Sequence, residues 1–323
     1  MTAGFRAAIE PVSPGVRRPL WSVMIPTYNC AGFLAATLES VLAQDPGSAA
    51  MQIEVVDDGS GDDPGAVVEQ IGRGRVGFHR QPANVGQIAN FTTCLNRSRG
   101  RLVHLLHGDD RVRPGFYEAL ARGFASDGQV GAAFCRWSLI DEDGALLSTA
   151  EPERGQAGVL PDALVRLASE QRITTPSIAV RRSIWEALGG FDARLACAED
   201  WEMWVRIASH YSIWYEPDVL AEYRVRRGST TDRNHREAEE LRYTAQAMEI
   251  FAPLIPAGQR RTTLRKARSV YAASALGNAR HYAHAGDREA MRAHLKAALS
   301  LSKRPGVLRQ AALIALGRHG ADA

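Results

Sequence analysis

The stretch Leu102-Val-His-Leu-Leu-His107-Gly-Asp109-Asp110 joins a largely apolar run to an abrupt polar end. Residues 102–106 are enough for a central sheet strand and too few for a helix, so the run predicts a buried strand. In an open α/β sheet, ligands bind just beyond the carboxyl ends of the strands. We therefore expect the polar residues after 106 to face a binding crevice.

The paired acids of this stretch indicate a metal site. Adjacent carboxylates repel each other unless a cation or several hydrogen-bond donors offset their charge. Oxygen ligands suit Mg²⁺ or Mn²⁺, so Asp109 is the first candidate ligand. An alternative is that Asp110 caps a following helix that Pro114 opens. Capping accounts for one acid but not for both beside His107, and the stretch alone leaves the two explanations open.

Length and composition are those of an ordinary globular protein. The 323 residues can form one large core and a smaller appendage. No apolar stretch approaches the roughly 20 residues of a membrane span. The first seventeen residues lack the apolar centre of a signal peptide, and we expect residues 1–18 to be a disordered arm. The four cysteines are widely spaced without a CxxC pair, which favours free thiols in a reducing, cytoplasmic compartment.

The last third of the chain is basic and helical in pattern. From Arg233 onward there are 16 Lys/Arg against 7 Asp/Glu, which indicates either a solvated helical face or attraction to an anionic membrane surface. Residues 271–305 resemble a tetratricopeptide-type helical hairpin. One such hairpin cannot bury its own apolar face. The hairpin must pack on the rest of the chain, on a second subunit or on a membrane. A homo-oligomer is therefore one of the possible arrangements.

Residues 21–106 alternate between short apolar runs and helical periodicity. Strands are predicted at 21–25, 53–56 and 76–79, and helices at 33–42, 66–71 and up to about 96. This alternation predicts parallel βαβ units in a doubly wound sheet. Further on, the sequence predicts a strand at 132–135, a hairpin turn at 141–144, a strand ending at 180, and helices over 181–188 and from about 199.

One glycine pattern on this path is misleading. Gly72-Arg-Gly74-Arg-Val-Gly77 matches the GxGxxG fingerprint of dinucleotide-binding folds. That fingerprint must follow a strand and open a helix, so that the pyrophosphate meets the helix N-terminus. Here the glycines follow a predicted helix and enter a predicted strand. A nicotinamide or flavin site is therefore rejected.

Polar clusters follow three of the predicted strands. They are Pro26-Thr-Tyr-Asn29, Asp57-Asp58-Gly-Ser60 and Gly108-Asp109-Asp110. If the strands are neighbours, these clusters converge on one crevice. Carboxylates accept hydrogen bonds from a nucleobase and from ribose hydroxyls, and a metal held by Asp109 would bind a diphosphate. The pattern predicts a site for a nucleoside diphosphate that carries a group to transfer.

Six landmarks occur in an order that resembles family 2 glycosyltransferases. They are Ser22–Asn29, Val55–Ser60, Asn84–Gly86, His107–Asp110 with Pro114, Gly189–Asp192 and Ala198–Trp204, within residues 20–230. The resemblance implies an inverting enzyme of the GT-A fold, a Rossmann-like, mostly parallel sheet flanked by helices, acting on a nucleotide sugar. On this basis we expect a catalytic domain over 19–232 and an all-helical extension over 233–323.

The resemblance also implies residue roles. Asp58 would contact the nucleobase, Asp109 would coordinate a divalent cation (Mg²⁺ or Mn²⁺) on the donor phosphates, and Asp200 would be the catalytic base. The remaining candidates for donor binding are Pro26, Thr27, Tyr28, Asn29, Asp57, Asn84, Gly86 and Arg226.

Two positions depart from the family pattern. His107 stands where most members have the first acid of an Asp-x-Asp, although a neutral imidazole can ligate Mn²⁺ or orient a ligating water. The alternative is a hydrogen-bonded histidine with no part in the site. Arg226 stands where many relatives have a histidine, and its guanidinium can pair with phosphate oxygens. The alternative for Arg226 is a solvated basic turn.

Asp200 lies at a predicted helix start, where the helix N-terminus favours an ionised carboxylate. Inverting transfer needs one base to take the proton of the acceptor hydroxyl, and the leaving diphosphate needs charge stabilisation rather than an acid. The alternative is that Glu199 and Asp200 are ordinary helix-start acids. Of the tryptophans that follow, Trp204 is expected in the core, and Trp201 is left open between the core and an acceptor cleft.

Together these observations predict a glycosyltransferase that moves a sugar from a nucleotide sugar to a hydroxyl of a glycan or lipid-linked acceptor. Uridine is the commonest base of the family, and the expected pathway is polysaccharide or cell-envelope synthesis, with peripheral contact at the inner membrane face and no nucleic-acid partner. The replaced acid and Arg226 raise an alternative, a nucleotide-sugar binding module without catalysis. A nucleotidyltransferase would need a basic glycine-rich loop after the first strand, and residues 26–32 contain no Lys or Arg.

Overall fold

Residues 21–105 form alternating strands and helices, as their pattern predicts. A computed structural model of the chain describes residues 4–228 and 230–317. The first elements are β1 (Trp21–Thr27), α1 (Ala31–Leu42), β2 (Met51–Asp57), α2 (Pro64–Gly72), β3 (Gly77–Arg80), α3 (Gln87–Arg97) and β4 (Leu102–Leu105). The four strands are parallel in the order β3-β2-β1-β4, and every residue of β1, β2 and β4 is buried. The glycines of the GxGxxG pattern end α2 and begin β3, as expected.

The second half of the sheet is mixed. The next elements are β5 (Arg111–Val112), α4 (Phe116–Ser126), β6 (Val130–Ile140), β7 (Leu146–Thr149), β8 (Gly158–Val159), α5 (Ala163–Ser169), β9 (Ile178–Arg181), α6 (Arg182–Leu188), α7 (Glu199–Ala208) and β10 (Ser212–Arg224). β10 is parallel to β6, whereas β9 runs antiparallel between β4 and β6. The α/β class and a sheet flanked by helices are confirmed. Apart from β7, which pairs with β6 across the predicted hairpin, the antiparallel additions come from short strands whose partners are distant in sequence.

His104 is a polar residue inside β4, and it is fully buried. Its Nε2 lies 3.0 Å from the carbonyl oxygen of Pro176, its Nδ1 lies 3.3 Å from the hydroxyl of Tyr117, and its ring stacks on Phe116 at 4.6 Å. Burial lowers the pKa of His104 to about 3, so the imidazole is neutral at physiological pH. A neutral, hydrogen-bonded imidazole explains why the strand tolerates a histidine.

Contacts between Cα atoms divide the chain into two units. The first contains the described residues up to 163 together with 172–194 and 206–225. The second contains 164–171, 195–205 and the described residues from 226 onward. The core of the first unit lies on the sheet between β1, β2, α1 and α4, with Val23, Ile25, Val55, Leu34, Leu38, Phe116 and Leu120 at its centre.

Residues 5–10 correct the expectation of a disordered arm over residues 1–18. The backbone N–H of Ala193 donates to the carbonyl oxygen of Phe5 at 2.8 Å. The backbone N–H of Gly190 donates to the carbonyl oxygen of Ala7 at 2.9 Å. Nearby, Arg6 pairs with Asp192 (3.4 Å), and Ile9 is buried. Composition alone favours disorder for residues 1–18. The contacts that order residues 5–10 are made with a segment almost two hundred residues away, and such contacts leave no local signal.

The second unit is helical, and the predicted C-terminal helical region is confirmed for the described residues; residues 318–323 of the predicted extension lie outside them. Its main helices are α8 (Thr230–Arg236), α9 (Glu239–Phe251), α10 (Ala257–His284), α11 (Arg288–Leu301) and α12 (Pro305–Ala315). α10 and α11 form the predicted hairpin, in which Gly286 has a φ of +77° and the side chain of Asp287 accepts the N–H of Ala290 to cap α11. α9 and α12 pack against this hairpin. Within 4–228 and 230–317, none of the helices combines the length and apolarity that crossing a membrane requires.

Candidate functional site

The loops after β1 and β2 are tied together by backbone and side-chain hydrogen bonds. Asn29 adopts a left-handed conformation (φ +49°), and its Oδ1 accepts the N–H of Gly61 at 2.8 Å. The N–H of Asn29 donates to the hydroxyl oxygen of Ser60 at 3.0 Å, and the N–H of Asp58 donates to the carbonyl of Thr27 at 2.9 Å. The polar clusters that follow the two strands therefore form one edge, as their sequence positions predict.

Asp57 and Asp58 are both buried, and each is anchored differently. Asp57 accepts the hydroxyl of Ser60 and lies 3.3 Å from the Nε of Arg80. The two carboxylate oxygens of Asp58 accept the N–H groups of Val85 and Gly86, at 2.8 and 3.0 Å. Asp58 thus fixes the loop before α3.

Two glycines bring the strand ends close together. Gly59 has a φ of +70°, and a Cβ on it would lie 2.8 Å from backbone atoms of Ala83 and Asn84. A Cβ on Gly108 would lie 2.7 Å from the Oγ1 of Thr27, and the N–H of Gly108 donates to Pro26 at 3.0 Å. The ends of β1, β2 and β4 therefore converge, with the loop at Asn84 beside them. Tyr28 and Asn84 expose their side chains there.

The acidic turn, residues His107–Asp110, brings three candidate metal ligands together. Ligand atoms of His107, Asp109 and Asp110 lie within 4.8 Å of one another. The Nε2 of His107 is buried and has no hydrogen-bond partner among the described residues, and its Nδ1 lies 3.6 Å from the Oδ2 of Asp110. Two carboxylates and an imidazole with an unsatisfied nitrogen suit Mg²⁺ or, better, Mn²⁺.

Burial lowers the pKa of His107, and the nearby charge of Asp109 opposes that shift in part. The imidazole is consequently neutral at physiological pH, which is the form that ligates metals. Its ring stacks on Phe91 with a centroid separation of 5.4 Å and an interplanar angle of 9°, and Phe91 contacts Phe191 at 5.3 Å. The landmark Gly189–Asp192 thereby supports the position of the His107 ring.

Asp110 does not cap a helix, so that alternative is wrong. The residue before α4 is Gly115, and Arg111–Val112 pair with β10 as strand β5. The Oδ1 of Asp110 instead accepts the backbone N–H of Arg224 at 2.8 Å. Asp110 is almost fully buried and joins the acidic turn to the end of β10.

Two buried side chains that the sequence analysis did not single out hold the backbone of the acidic turn. The Oγ1 of Thr37 lies 2.7 Å from the carbonyl oxygen of Asp110 and 3.1 Å from that of Gly108. The guanidinium of Arg224 donates to the carbonyl of Asp109 at 2.8 Å, and also to the carbonyls of Asp141 and Glu142 in the β6–β7 hairpin. A local signal for Arg224 is the Tyr-Arg pair at 223–224, two residues before Arg226.

Asp200 and Arg226 belong to the second unit. Arg226 lies two residues beyond the end of β10 and is partly exposed. Asp200 is partly exposed in the first turn of α7, which follows Ala198 in a left-handed conformation (φ +61°). Its Oδ1 accepts the N–H of Trp201 at 2.7 Å, and its Oδ2 accepts the side-chain amide of Gln171 at 2.8 Å.

Both tryptophans of α7 are core residues. Trp204 is buried, as predicted, and so is Trp201, whose place the sequence left open. The ring N–H of Trp201 donates to the carbonyl of Leu167 at 2.6 Å. Its ring packs on Phe251 and Tyr271 at centroid distances of 4.9 and 5.2 Å. Trp201 therefore joins three helical segments of the second unit.

Comparison with known proteins identifies the family. The model of glycosyl transferase family 2 matches residues 22–179, which contain all three converging strand ends. This chain is a family 2 glycosyltransferase. Among curated relatives, an uncharacterised protein of Mycobacterium tuberculosis is 28% identical over 79% of this chain and 81% of its own length. An uncharacterised glycosyltransferase of Rickettsia typhi is 24% identical over 69% of each chain.

Solved structures similar to this glycosyltransferase establish the GT-A fold. Staphylococcus aureus TarS, crystallised with UDP-GlcNAc, aligns with a TM-score of 0.57 at 17% identity, over 88% of this chain and 93% of that one. The mannosyltransferase PcManGT of Pyrobaculum calidifontis, solved with GDP-Man and Mn²⁺, aligns with a TM-score of 0.58 at 21% identity, over 93% and 79%. The fold implied by the sequence resemblance is confirmed.

Proposed function

We propose that this glycosyltransferase inverts configuration while it transfers a sugar from a nucleoside diphosphate sugar, most readily a UDP-sugar, to a hydroxyl of a glycan or lipid-linked acceptor. The observation that carries the proposal is the convergence of the acidic turn with the polar ends of β1 and β2. These elements offer acceptors for a base and ribose next to ligands for a cation on the diphosphate. The nucleotide sugars bound by TarS and PcManGT support the same class of donor.

Donor binding is divided among the residues at the strand ends. Asp58 receives the base, and Pro26, Thr27, Tyr28, Asn29, Asp57, Asn84 and Gly86 form the surrounding wall. Asp109 and His107 hold a divalent cation, Mg²⁺ or Mn²⁺. When bound, the cation neutralises charge that develops on the leaving diphosphate. Arg226 adds a guanidinium suited to phosphate oxygens.

Asp200 is the base of the proposed reaction. The acceptor oxygen attacks the anomeric carbon, the bond from that carbon to the phosphate oxygen breaks, and the acceptor proton passes to the Asp200 carboxylate. The backbone N–H of Trp201 and the side-chain amide of Gln171 each hold one oxygen of the Asp200 carboxylate in place. The start of α7 also favours the ionised carboxylate.

A lipid-linked acceptor would bring this protein to a membrane surface, and α12 is the element suited to that contact. Leu308 and Leu316 are 47% and 69% exposed. Lys303, Arg304 and Arg309 are exposed beside them, and residues 302–317 contain no acid. We expect binding to anionic but not zwitterionic vesicles, lost in the double variant Leu308→Ser, Leu316→Ser. Concentration-dependent dimerisation without vesicle binding would point to a homo-oligomer interface instead.

The decisive experiment measures nucleoside diphosphate release from UDP-, GDP- and dTDP-sugars with Mn²⁺, with Mg²⁺ or with EDTA. Asp109→Asn should weaken cation-dependent nucleotide binding, measured by calorimetry. Asp200→Asn should reduce turnover at least about 100-fold while nucleotide affinity stays close to that of the parent. Asp143→Asn, an exposed acid in the β6–β7 turn, is the control. Nucleotide binding without any diphosphate release would favour the binding-module alternative over the proposed transfer.

A further inference from the structure

A chain of hydrogen bonds leads from helix α10 to the Asp200 carboxylate. The hydroxyl of Tyr271, in α10, accepts the backbone N–H of Gln171 at 3.0 Å. The side-chain amide of Gln171 donates to the Oδ2 of Asp200 at 2.8 Å. All three residues belong to the second unit, so the C-terminal helices reach the candidate base through one intermediate residue.

A second set of contacts lies beside this chain of hydrogen bonds and restrains the same segments. Gln171 follows α5 by two residues, and the carbonyl of Leu167 in α5 accepts the ring N–H of Trp201, the residue next to Asp200. Tyr271 also packs its ring on Trp201. The end of α5, the start of α7 and the middle of α10 are therefore joined both by polar contacts and by a buried aromatic one.

Two groups that donate to Asp200 bind different oxygens of its carboxylate. The backbone N–H of Trp201 donates to Oδ1 and Gln171 donates to Oδ2, so the plane of the carboxylate is fixed at both ends. A base that must meet a hydroxyl in one geometry gains from such restraint, because misplacement of a reacting group by about 1 Å can cost on the order of 100-fold in rate.

We propose that Gln171 is a positioning residue for the base and that Tyr271 of α10 holds Gln171 in place. The inference rests on the proposed role of Asp200. It gives the helical extension a part in the transfer step, because α10 supplies the support behind the base. The acceptor hydroxyl and the sugar do not need to touch either residue.

Three substitutions test the proposal in the full-length chain. Gln171→Leu removes the donor, and we expect kcat to fall about 10- to 100-fold with little change in KM for the nucleotide sugar. The acid limb of the pH profile should move to higher pH, because a lost donor raises the pKa of a carboxylate. Gln171→Glu keeps the shape but adds a like charge, and should move the limb further. Tyr271→Phe keeps the ring and should give a smaller change in the same direction.

The matched control is Gln259→Leu, which removes an exposed glutamine side chain from the first turn of the same helix α10. If Asp200→Asn abolishes transfer while Gln171→Leu and Gln171→Glu keep the kcat and pH profile of the control, the proposed function stands and the positioning role is wrong. If Asp200→Asn retains transfer, Asp200 is not the base, and the positioning role that depends on it is wrong as well. Should Gln171→Leu not fold, the pH profile of the isosteric Gln171→Glu decides.

Discussion

Arg224 and Asp109 are joined by a hydrogen bond of 2.8 Å from the guanidinium Nε to the backbone carbonyl of Asp109. The backbone N–H of Arg224 donates in turn to the carboxylate of Asp110, also at 2.8 Å. The last residue of β10 and the acidic turn therefore hold each other through both backbone and side-chain groups. The candidate metal ligands owe their position to a strand that ends more than a hundred residues later.

The first prediction concerns Arg224→Lys. A lysine cannot reach the carbonyls of Asp109 and of the β6–β7 hairpin at the same time, because it lacks the fork of the guanidinium. We expect a loss of about 1–3 kcal/mol in the free energy of unfolding and roughly 10-fold weaker binding of a nucleoside diphosphate with Mn²⁺. Thermal unfolding and calorimetry measure the two. Arg122→Lys, in an exposed pair with Glu118, is the control, and equal effects in both variants would contradict the prediction.

Thr37→Val tests the support beneath the acidic turn. Valine keeps the shape of threonine but removes a hydroxyl that is buried against the carbonyls of Asp110 and Gly108. We expect about 1 kcal/mol of destabilisation and a several-fold loss of cation-dependent nucleotide affinity. The control is Thr92→Val, whose hydroxyl donates only within α3. If the two variants bind nucleotide equally well, Thr37 has no specific effect on the site.

Gly59→Ala tests the close approach of the β2 loop and the loop at Asn84. Alanine would introduce both a left-handed strain and a Cβ at 2.8 Å from backbone atoms, so we expect a loss of several kcal/mol in stability. Gly74→Ala shares the strain (φ +80°) but has no atom within 4 Å of the new Cβ. Its destabilisation should be nearer 1 kcal/mol. The difference in melting temperature between Gly59→Ala and Gly74→Ala measures the effect of the Cβ clash. Equal melting temperatures would contradict the prediction.

His104 predicts a specific dependence of stability on pH. The native pKa is about 3 and the ordinary value is 6.5, so between these limits the unfolded chain binds a proton that the native protein does not. Stability should therefore fall as pH decreases below about 6.5, by up to about 1.4 kcal/mol per pH unit from this group. His104→Gln should be less stable at pH 8 but lose less on acidification. Chemical denaturation at pH 8, 6 and 5 checks this against the exposed-residue control His281→Gln. Equal slopes in all three proteins would contradict it.

The strand ends of the first unit could be predicted because their signal is local. An apolar run followed by Pro26–Asn29, by Asp57–Ser60 or by His107–Asp110 fixes both the end of a strand and the type of side chain beyond it. The parallel order then brings the three ends to one edge. The positions of these residues and the parallel α/β sheet followed from such patterns, whereas the GT-A fold was implied by the family resemblance.

What the sequence did not reveal depends on contacts between distant segments. The local sequence of Asp110 is compatible with a helix cap, because its true partner, Arg224, is 114 residues away. The role of Gln171 has no local signal, because nothing in the neighbouring sequence points to Asp200 or to Tyr271 a hundred residues later. Trp201 could not be assigned, since helical spacing alone does not distinguish a core face from a cleft. In each case the deciding contact joins elements whose pairing only the folded chain defines.

The chain enters the second unit three separate times, through 164–171, 195–205 and the residues from 226 onward. A chimera that exchanges only the carboxyl-terminal third between related enzymes would therefore inherit a mismatched interior around Trp201. Leu167 and Trp201 would come from one parent, while Phe251 and Tyr271 would come from the other. In recombination between homologues, all three segments of the second unit should therefore come from the same parent.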